Sequence, residues 1–182
     1  MRSLHDLEES ECITRAQRGD VAAFSELVRR HQDRIYRFLV RLTRSLDDAR
    51  DLTQETFLRA FQHLKGWRPE ARFSTWLFRI ARNQALDLLR RHQTVEFVML
   101  EEDATVLDPA PGPDDVLNAV QRLRQLDAAL LRLPVEHREI VLLREIEGLS
   151  YEELAEVLGL NIGTVKSRIA RARSALLGSS PR

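Results

Sequence analysis

The sequence predicts an all-α protein of two small helical domains joined by an acidic flexible linker, the second domain containing a helix-turn-helix. Three observations carry that expectation. Apolar residues recur at spacings of three and four, with no convincing strand alternation. A central stretch lacks Lys and Arg and is rich in carboxylates and proline. Near the end of the chain, two short amphipathic segments flank a Gly159-Leu160-Asn161 turn.

In the first domain, residues 1–92, Asp20 suits the cap of a long helix with Phe24, Leu27, Val28, Ile35, Phe38, Leu39 and Leu42 on its buried side. Ser45 and Asp48 suit the start of the next, because their oxygens can meet free backbone N–H groups. That helix repeats apolar residues at Ala49, Leu52, Phe57, Ala60 and Leu64. Lys65-Gly66-Trp67-Arg68-Pro69 breaks the pattern as a loop, and a further helix is expected from Phe73 to Arg91. From 93 to 117 the chain carries Glu96, Glu101, Glu102, Asp103, Asp108, Asp114 and Asp115 with Pro109, Pro111 and Pro113, a composition that resists helix formation.

The second domain, 118–182, begins with a helix through Val120, Leu123, Leu126, Leu130 and Leu133, stopped near Pro134. Another follows from Glu136 to Glu147. Ser150-Tyr151-Glu152-Glu153 has the spacing of a capping box, Gly159 supplies a left-handed end, and Asn161 can cap a last helix reaching Leu177. Ile162, Val165, Ile169, Ala172 and Leu176 form the expected buried stripe of that last helix.

With 43% hydrophobic residues in 182, the chain can build packed cores. Its 28 basic and 28 acidic residues cancel, which taken alone argues against a nucleic-acid binder. The charges are segregated, however, and distribution decides where a polyanion can sit. Cys12 is the only cysteine, which excludes an intramolecular disulfide or a cysteine-built zinc site. The histidines are scattered, so no metal and no cofactor are expected. No apolar run approaches the roughly 20 residues needed to span a bilayer. The acidic start, Met1 to Glu11, lacks a signal-like apolar segment, and a cytoplasmic protein without stable membrane insertion is expected.

Two basic regions point to nucleic acid. The last helix places Thr164, Ser167 and Arg171 opposite its buried stripe, flanked by Lys166, Arg168 and Arg173, with no acidic residue. Such a helix can enter a major groove, where Arg reads a guanine edge bidentately and other cations meet phosphates. In the first domain, Trp67, Phe73, Trp76 and Phe78 are interleaved with Arg68, Arg72, Arg79 and Arg82. Aromatic faces stack on unpaired bases while Arg holds phosphates. Helical spacing favours Phe73 as core, whereas Trp76 fits core and DNA contact equally well. A third surface differs: Asp51, Gln54, Glu55 and Leu58 form an acidic face with an apolar residue, suited either to solvent or to a basic protein partner. No carboxylate cluster or nucleophile–base pair supports an enzyme. An autonomous helix-turn-helix regulator would account for the second domain alone.

Three segments together resemble sigma factors of the extracytoplasmic-function (ECF) kind: Asp51-Leu52-Thr53-Gln54-Glu55-Thr56-Phe57, Phe73 to Asn83, and Gly148 to Ala155 followed by Gly163 to Arg168. The resemblance runs from about Ile13 to Leu177. It implies a non-catalytic specificity subunit that binds core RNA polymerase through Asp51, Gln54, Glu55 and Leu58. Lys65, Trp67, Arg68, Arg72, Trp76, Arg79, Arg82 and Asn83 would recognise and melt the −10 element. Thr164, Lys166, Ser167, Arg168 and Arg171 would read the double-stranded −35 element. Family members commonly sit under an anti-sigma factor, which can hold them at the membrane. Primary sigma factors tend to have a tryptophan pair in the melting helix; here Trp76 is followed by Leu77, which implies weaker intrinsic melting.

Overall fold

A computed structural model describes residues 8–96 and 127–178, and among these every regular element is helical. Helix α1 (Glu9–Gln17) buries only Cys12, Ile13 and Ala16, a stripe too short for the periodicity reading to have found. Helix α2 (Val21–Thr43) starts where Asp20 accepts a hydrogen bond from the Ala23 N–H, and it buries six of the seven expected apolar residues, with Val28 half-buried. It stops at Arg44, which takes a left-handed backbone (φ 65°) while its N–H closes on the Val40 carbonyl.

Helix α3 (Leu46–His63) begins at Ser45, whose hydroxyl accepts from the Asp48 N–H. A 3-10 turn at Leu64–Gly66 then leads into the Trp67 loop. Helix α4 (Phe73–Glu96) runs five residues past the expected Arg91, because His92 to Glu96 contain no Gly or Pro to break it. The core of this first unit is formed where α1, α3 and α4 all pack on α2. At its centre Phe38 meets Phe78 edge-on, with ring centroids 5.4 Å apart. The remainder of the expected linker, from 97 to 117, and the first residues of the second domain, 118–126, lie outside the described residues.

The second unit opens with the helical segment 127–132, here α5, followed by α6 (Val135–Val141). Instead of continuing to Glu147 as regular α-helix, α6 widens into a π-turn at Leu142–Ile146, a feature that apolar spacing does not signal. Helix α7 (Tyr151–Leu158) has both halves of its capping box: the Ser150 hydroxyl accepts from the Glu153 N–H, and the Glu153 carboxylate accepts from the Ser150 N–H. Gly159 ends it at φ 65°, a conformation open to glycine without a side-chain penalty. The Asn161 Oδ1 accepts from the Thr164 N–H at 2.8 Å and starts α8 (Ile162–Gly178). Val165, Ile169 and Ala172 are buried as expected, but Ile162 is 40% exposed. It is the first residue of α8, directly after the turn from α7, and Leu176 near the other end is half-buried.

The two units do not stand apart. Helix α4 packs along α7, and α2 touches α6 and its π-turn. Arg138, 6% exposed, spans the junction, donating from Nη1 to the Leu42 carbonyl at the end of α2 and from Nε and Nη2 to the Leu130 and Leu133 carbonyls. Burial, reinforced by the charge of Arg44, brings its pKa down to about 10, so it remains a cation at neutral pH.

Candidate nucleic-acid interface

The first candidate surface surrounds the α3–α4 junction. The 3-10 turn and the Pro69 loop bring Trp67 against the start of α4, its ring 5.7 Å from Phe73 and 6.1 Å from Trp76. Gln17 of α1 secures the loop from behind, donating to the carbonyls of Leu64 and Trp67. His63, Gly66, Trp67, Arg68, Ala71 and Trp76 help wall an open cleft of about 410 Å³. Trp76 is 8% exposed and packs on Phe73, so it belongs to the core while one edge lines the cleft. The two sequence readings of Trp76 are therefore compatible. Lys65 and Arg68 are exposed at this rim, and Trp67 is half-buried.

Arg79 and Arg82 of α4, and Arg72 just before it, reach toward the second unit. Arg82 makes a bidentate pair with Glu139 of α6, donating from Nε at 2.9 Å and Nη2 at 3.1 Å. Arg79 lies 3.5 Å from Glu156 of α7. Arg72 lies 3.6 Å from Glu153, which also accepts from the Thr75 hydroxyl at 2.8 Å. Burial acts against the Glu153 charge, but the Ser150 N–H, Thr75 and Arg72 together hold its pKa below the usual carboxylate value. Asn83 is exposed and accepts from Arg82.

The second candidate surface is the outer side of α8. Lys166, Ser167 and Arg171 are exposed, and Thr164 is half-buried beside the Asn161 cap. Arg171 donates from Nε to the Ser167 carbonyl, which lays its guanidinium along the helix. Arg168 is different: only 19% of its side chain is exposed, and it lies 3.7 Å from Glu139 and 4.0 Å from Glu136. Thus Glu139, 1% exposed, is shared by an arginine from each candidate DNA-binding helix. Sequence reasoning did not identify it, because a second glutamate in a short helix of mixed charge carries no motif.

The third surface, on α3, presents exposed Asp51 and Gln54, half-buried Glu55, and Leu58 at 51% exposure. Arg59 donates to Glu55 at 2.7 Å. Phe61, also exposed, is braced edge-on against Phe24 at 4.9 Å. Leu58 and Phe61 make an apolar ridge beside the carboxylates.

A helix-turn-helix and an aromatic cleft on one chain fit the sigma-70 class of transcription proteins, and the family matches place the chain in it. Residues 27–95 match the model for Sigma-70 region 2, and residues 123–176 match that for Sigma-70, region 4. The chain belongs to the extracytoplasmic-function sigma factors. It is 31% identical over 172 residues to ECF RNA polymerase sigma factor SigW of Bacillus subtilis, covering 90% of this chain and 92% of that one. It is 45% identical over 163 residues to ECF RNA polymerase sigma factor SigE of Mycolicibacterium smegmatis, covering 87% of this chain but spanning only 63% of that relative. Among solved structures, CnrH in complex with the cytosolic domain of CnrY superposes with a TM-score of 0.68 at 29% identity, covering 92% and 93% of the two chains. The sigma factor RpoE in complex with the anti-sigma factor NepR from Bartonella quintana gives 0.68 at 27% identity, covering 87% and 98%. Among the described residues no helix is long and apolar enough to cross a membrane.

Proposed function

We propose that this chain binds core RNA polymerase, positions it on −35 and −10 promoter elements and assists melting, with all bond chemistry left to the polymerase. The observation that carries this is one chain bearing a basic last helix and, separately, an aromatic cleft lined by Arg68 and Arg79 together with Glu70 and Glu156. In this reading residues 1–92 bind polymerase and the −10 element, 93–117 thread through the enzyme as an acidic strap, and 118–182 read the −35 element.

The α3 ridge of Leu58 and Phe61, with Asp51, Gln54 and Glu55 beside it, docks on a basic surface of core enzyme; apolar anchors within a polar rim are the usual anatomy of such contacts. Lys65, Arg68, Arg72, Arg79 and Arg82 hold phosphates of the displaced strand. The Trp67–Trp76 cleft takes an unstacked base, and Asn83, exposed further along α4, offers a polar group to the strand. On α8, Arg171 and Ser167 face bases, while Lys166, Thr164 and Arg168 meet the backbone. Two short sites on one chain give avidity only when their spacing is fixed, which polymerase would do. An anti-sigma factor that covers the same surfaces fits this scheme, and the chain would act in the bacterial cytoplasm or be held at the membrane through that partner.

The test is transcription by core enzyme from a library of random upstream sequences, with and without the chain. The expected result is enrichment of templates sharing two spaced elements. Absence of any promoter-specific product would reject the reading in favour of an autonomous DNA-binding regulator.

A further inference from the structure

Helix α1 reaches the aromatic cleft from behind, at both of its ends. At the C-terminal end the Gln17 Nε2 donates to the Leu64 and Trp67 carbonyls, each at 3.0 Å, across 47 and 50 residues of sequence. The Trp67 N–H closes on the same Leu64 carbonyl, so one amide group fastens both ends of the turn that carries the Trp67 ring. Among the described residues no other side chain hydrogen-bonds the backbone from 64 to 72. At the other end of α1, Glu9 Oε1 lies 2.6 Å from Nε2 of buried His31, whose ring meets Phe73 edge-on at 5.5 Å. Phe73 in turn packs on Trp67 and Trp76. The corner that delivers Gln17 is itself locked. Gly19 takes φ 95° between α1 and α2, a backbone conformation open to glycine. Arg15 donates to Asp20 from Nε at 2.9 Å and Nη2 at 2.6 Å, while Asp20 caps α2 through the Ala23 N–H.

We infer that Gln17 is a positioning residue for −10 selectivity: its amide fixes the backbone of the Leu64–Trp67 turn, so that Trp67 presents one ring orientation to a base in the cleft. The inference deepens the reading of this cleft as the −10 site and rests on it. Gln17 is not among the residues that wall the cleft, so it acts through Trp67 and not by touching DNA. A wall free to move adapts to more than one base. A wall already held in place costs no ordering when the matching base enters, and it clashes with the wrong one. Glutamine meets the requirement because its amide carries two N–H donors, one for each carbonyl; an ionised glutamate has none. The two bonds are neutral and individually modest, a strength suited to tuning a contact and not to holding the domain together.

Both tryptophans of the chain wall the cleft, so intrinsic fluorescence reports on it alone. In the full chain, Gln17→Met keeps the length of the side chain without its donors. Acrylamide should quench this variant more efficiently than wild type, with helical circular dichroism unchanged. Gln17→Lys, whose ammonium brings three donors, should return quenching to the wild-type level. With core polymerase, a promoter recovered from the random library and its single-base −10 variants measure selectivity. Gln17→Met should lower the ratio of opening rates, matched over substituted, about tenfold, which corresponds to about 1.4 kcal/mol, and Gln17→Lys should restore it. Association with core enzyme and selectivity at the −35 element should stay as in wild type. Equal quenching of wild type and Gln17→Met overturns the fastening of the turn. Greater quenching with the selectivity ratio intact overturns the positioning role, and so does an equal loss on matched and substituted templates, which marks a residue that only supports the fold. Should Gln17→Met lose its helical circular dichroism, Gln17→Glu takes its place against Gln17→Lys, and the same two readouts decide. Failure of the sigma-factor reading would show as no promoter-specific product from the wild-type chain, whereas the quenching experiment needs no polymerase.

Discussion

Replacing Trp76 by alanine is expected to destabilise the first domain before it reveals any role in melting. The indole is 8% exposed and lies against Phe73, with ring centroids 5.6 Å apart, and near Trp67 at 6.1 Å. A buried tryptophan removes about 150–250 Å² from water. At about 25 cal/mol per Å² this corresponds to roughly 4–6 kcal/mol, an upper bound because the unfolded chain already buries some of that surface. Alanine retains a little of the contact, so the expected loss is about 3–5 kcal/mol, a large part of a typical domain stability of about 5–15 kcal/mol. Urea denaturation of the full chain, followed by far-ultraviolet circular dichroism, measures it. A loss below about 1 kcal/mol would refute the packing of Trp76 described above. A melting defect in this variant therefore has meaning only after correction for its folded fraction. Trp76→Phe keeps a ring against Phe73 and should separate packing from base contact: normal stability with impaired promoter opening is the expected pair of results.

Arg171→Ala should weaken holoenzyme binding to a selected promoter by about 1–3 kcal/mol if the guanidinium reads a base edge; unchanged affinity in a filter-binding assay would remove it from the reading set. Glu55→Lys should reduce association with core enzyme while leaving the melting temperature nearly unchanged, since Glu55 sits on the half-exposed outer face of α3 and pairs only locally with Arg59. Normal association by gel filtration would contradict the docking assignment. Acid should destabilise the fold. The Glu9 carboxylate is held below its ordinary pKa of 4.5, first by its hydrogen bond with His31, and Glu153 is likewise lowered although burial opposes its charge. A carboxylate whose folded pKa is depressed stabilises the fold above its unfolded value and loses that contribution as pH falls through the folded one. The urea midpoint should accordingly drop below pH 4.5, and less steeply in Glu153→Gln.

The parts legible in the sequence were those set by local physics. Asp20, Ser45, Ser150 and Asn161 each accept the backbone N–H that their position in sequence implied, because capping depends on residues three apart and little else. The buried faces of α2 and α3 followed from periodicity for the same reason. Helix α1 was not legible: Glu8 precedes it without a side-chain cap, and its burial depends on α2. Likewise, the sequence singled out Arg82 as a basic residue suited to phosphate contact and Arg168 as one flanking the outer side of the last helix. It held no sign that both converge on Glu139, 57 residues from one and 29 from the other, since that pairing is made by tertiary packing. The exposed Ile162 shows the opposite error, in which a correct period was extended to the first residue of α8, which is 40% exposed.

In the proposed function, the two candidate DNA-binding helices act together only when a larger enzyme sets their separation. Footprinting one promoter recovered from the random library, with the purified chain alone and with the chain plus core polymerase, addresses that directly at physiological salt. The chain alone should leave both elements unprotected, and the assembled enzyme should protect the −35 and −10 regions together. Tight protection of either element by the free chain would contradict it.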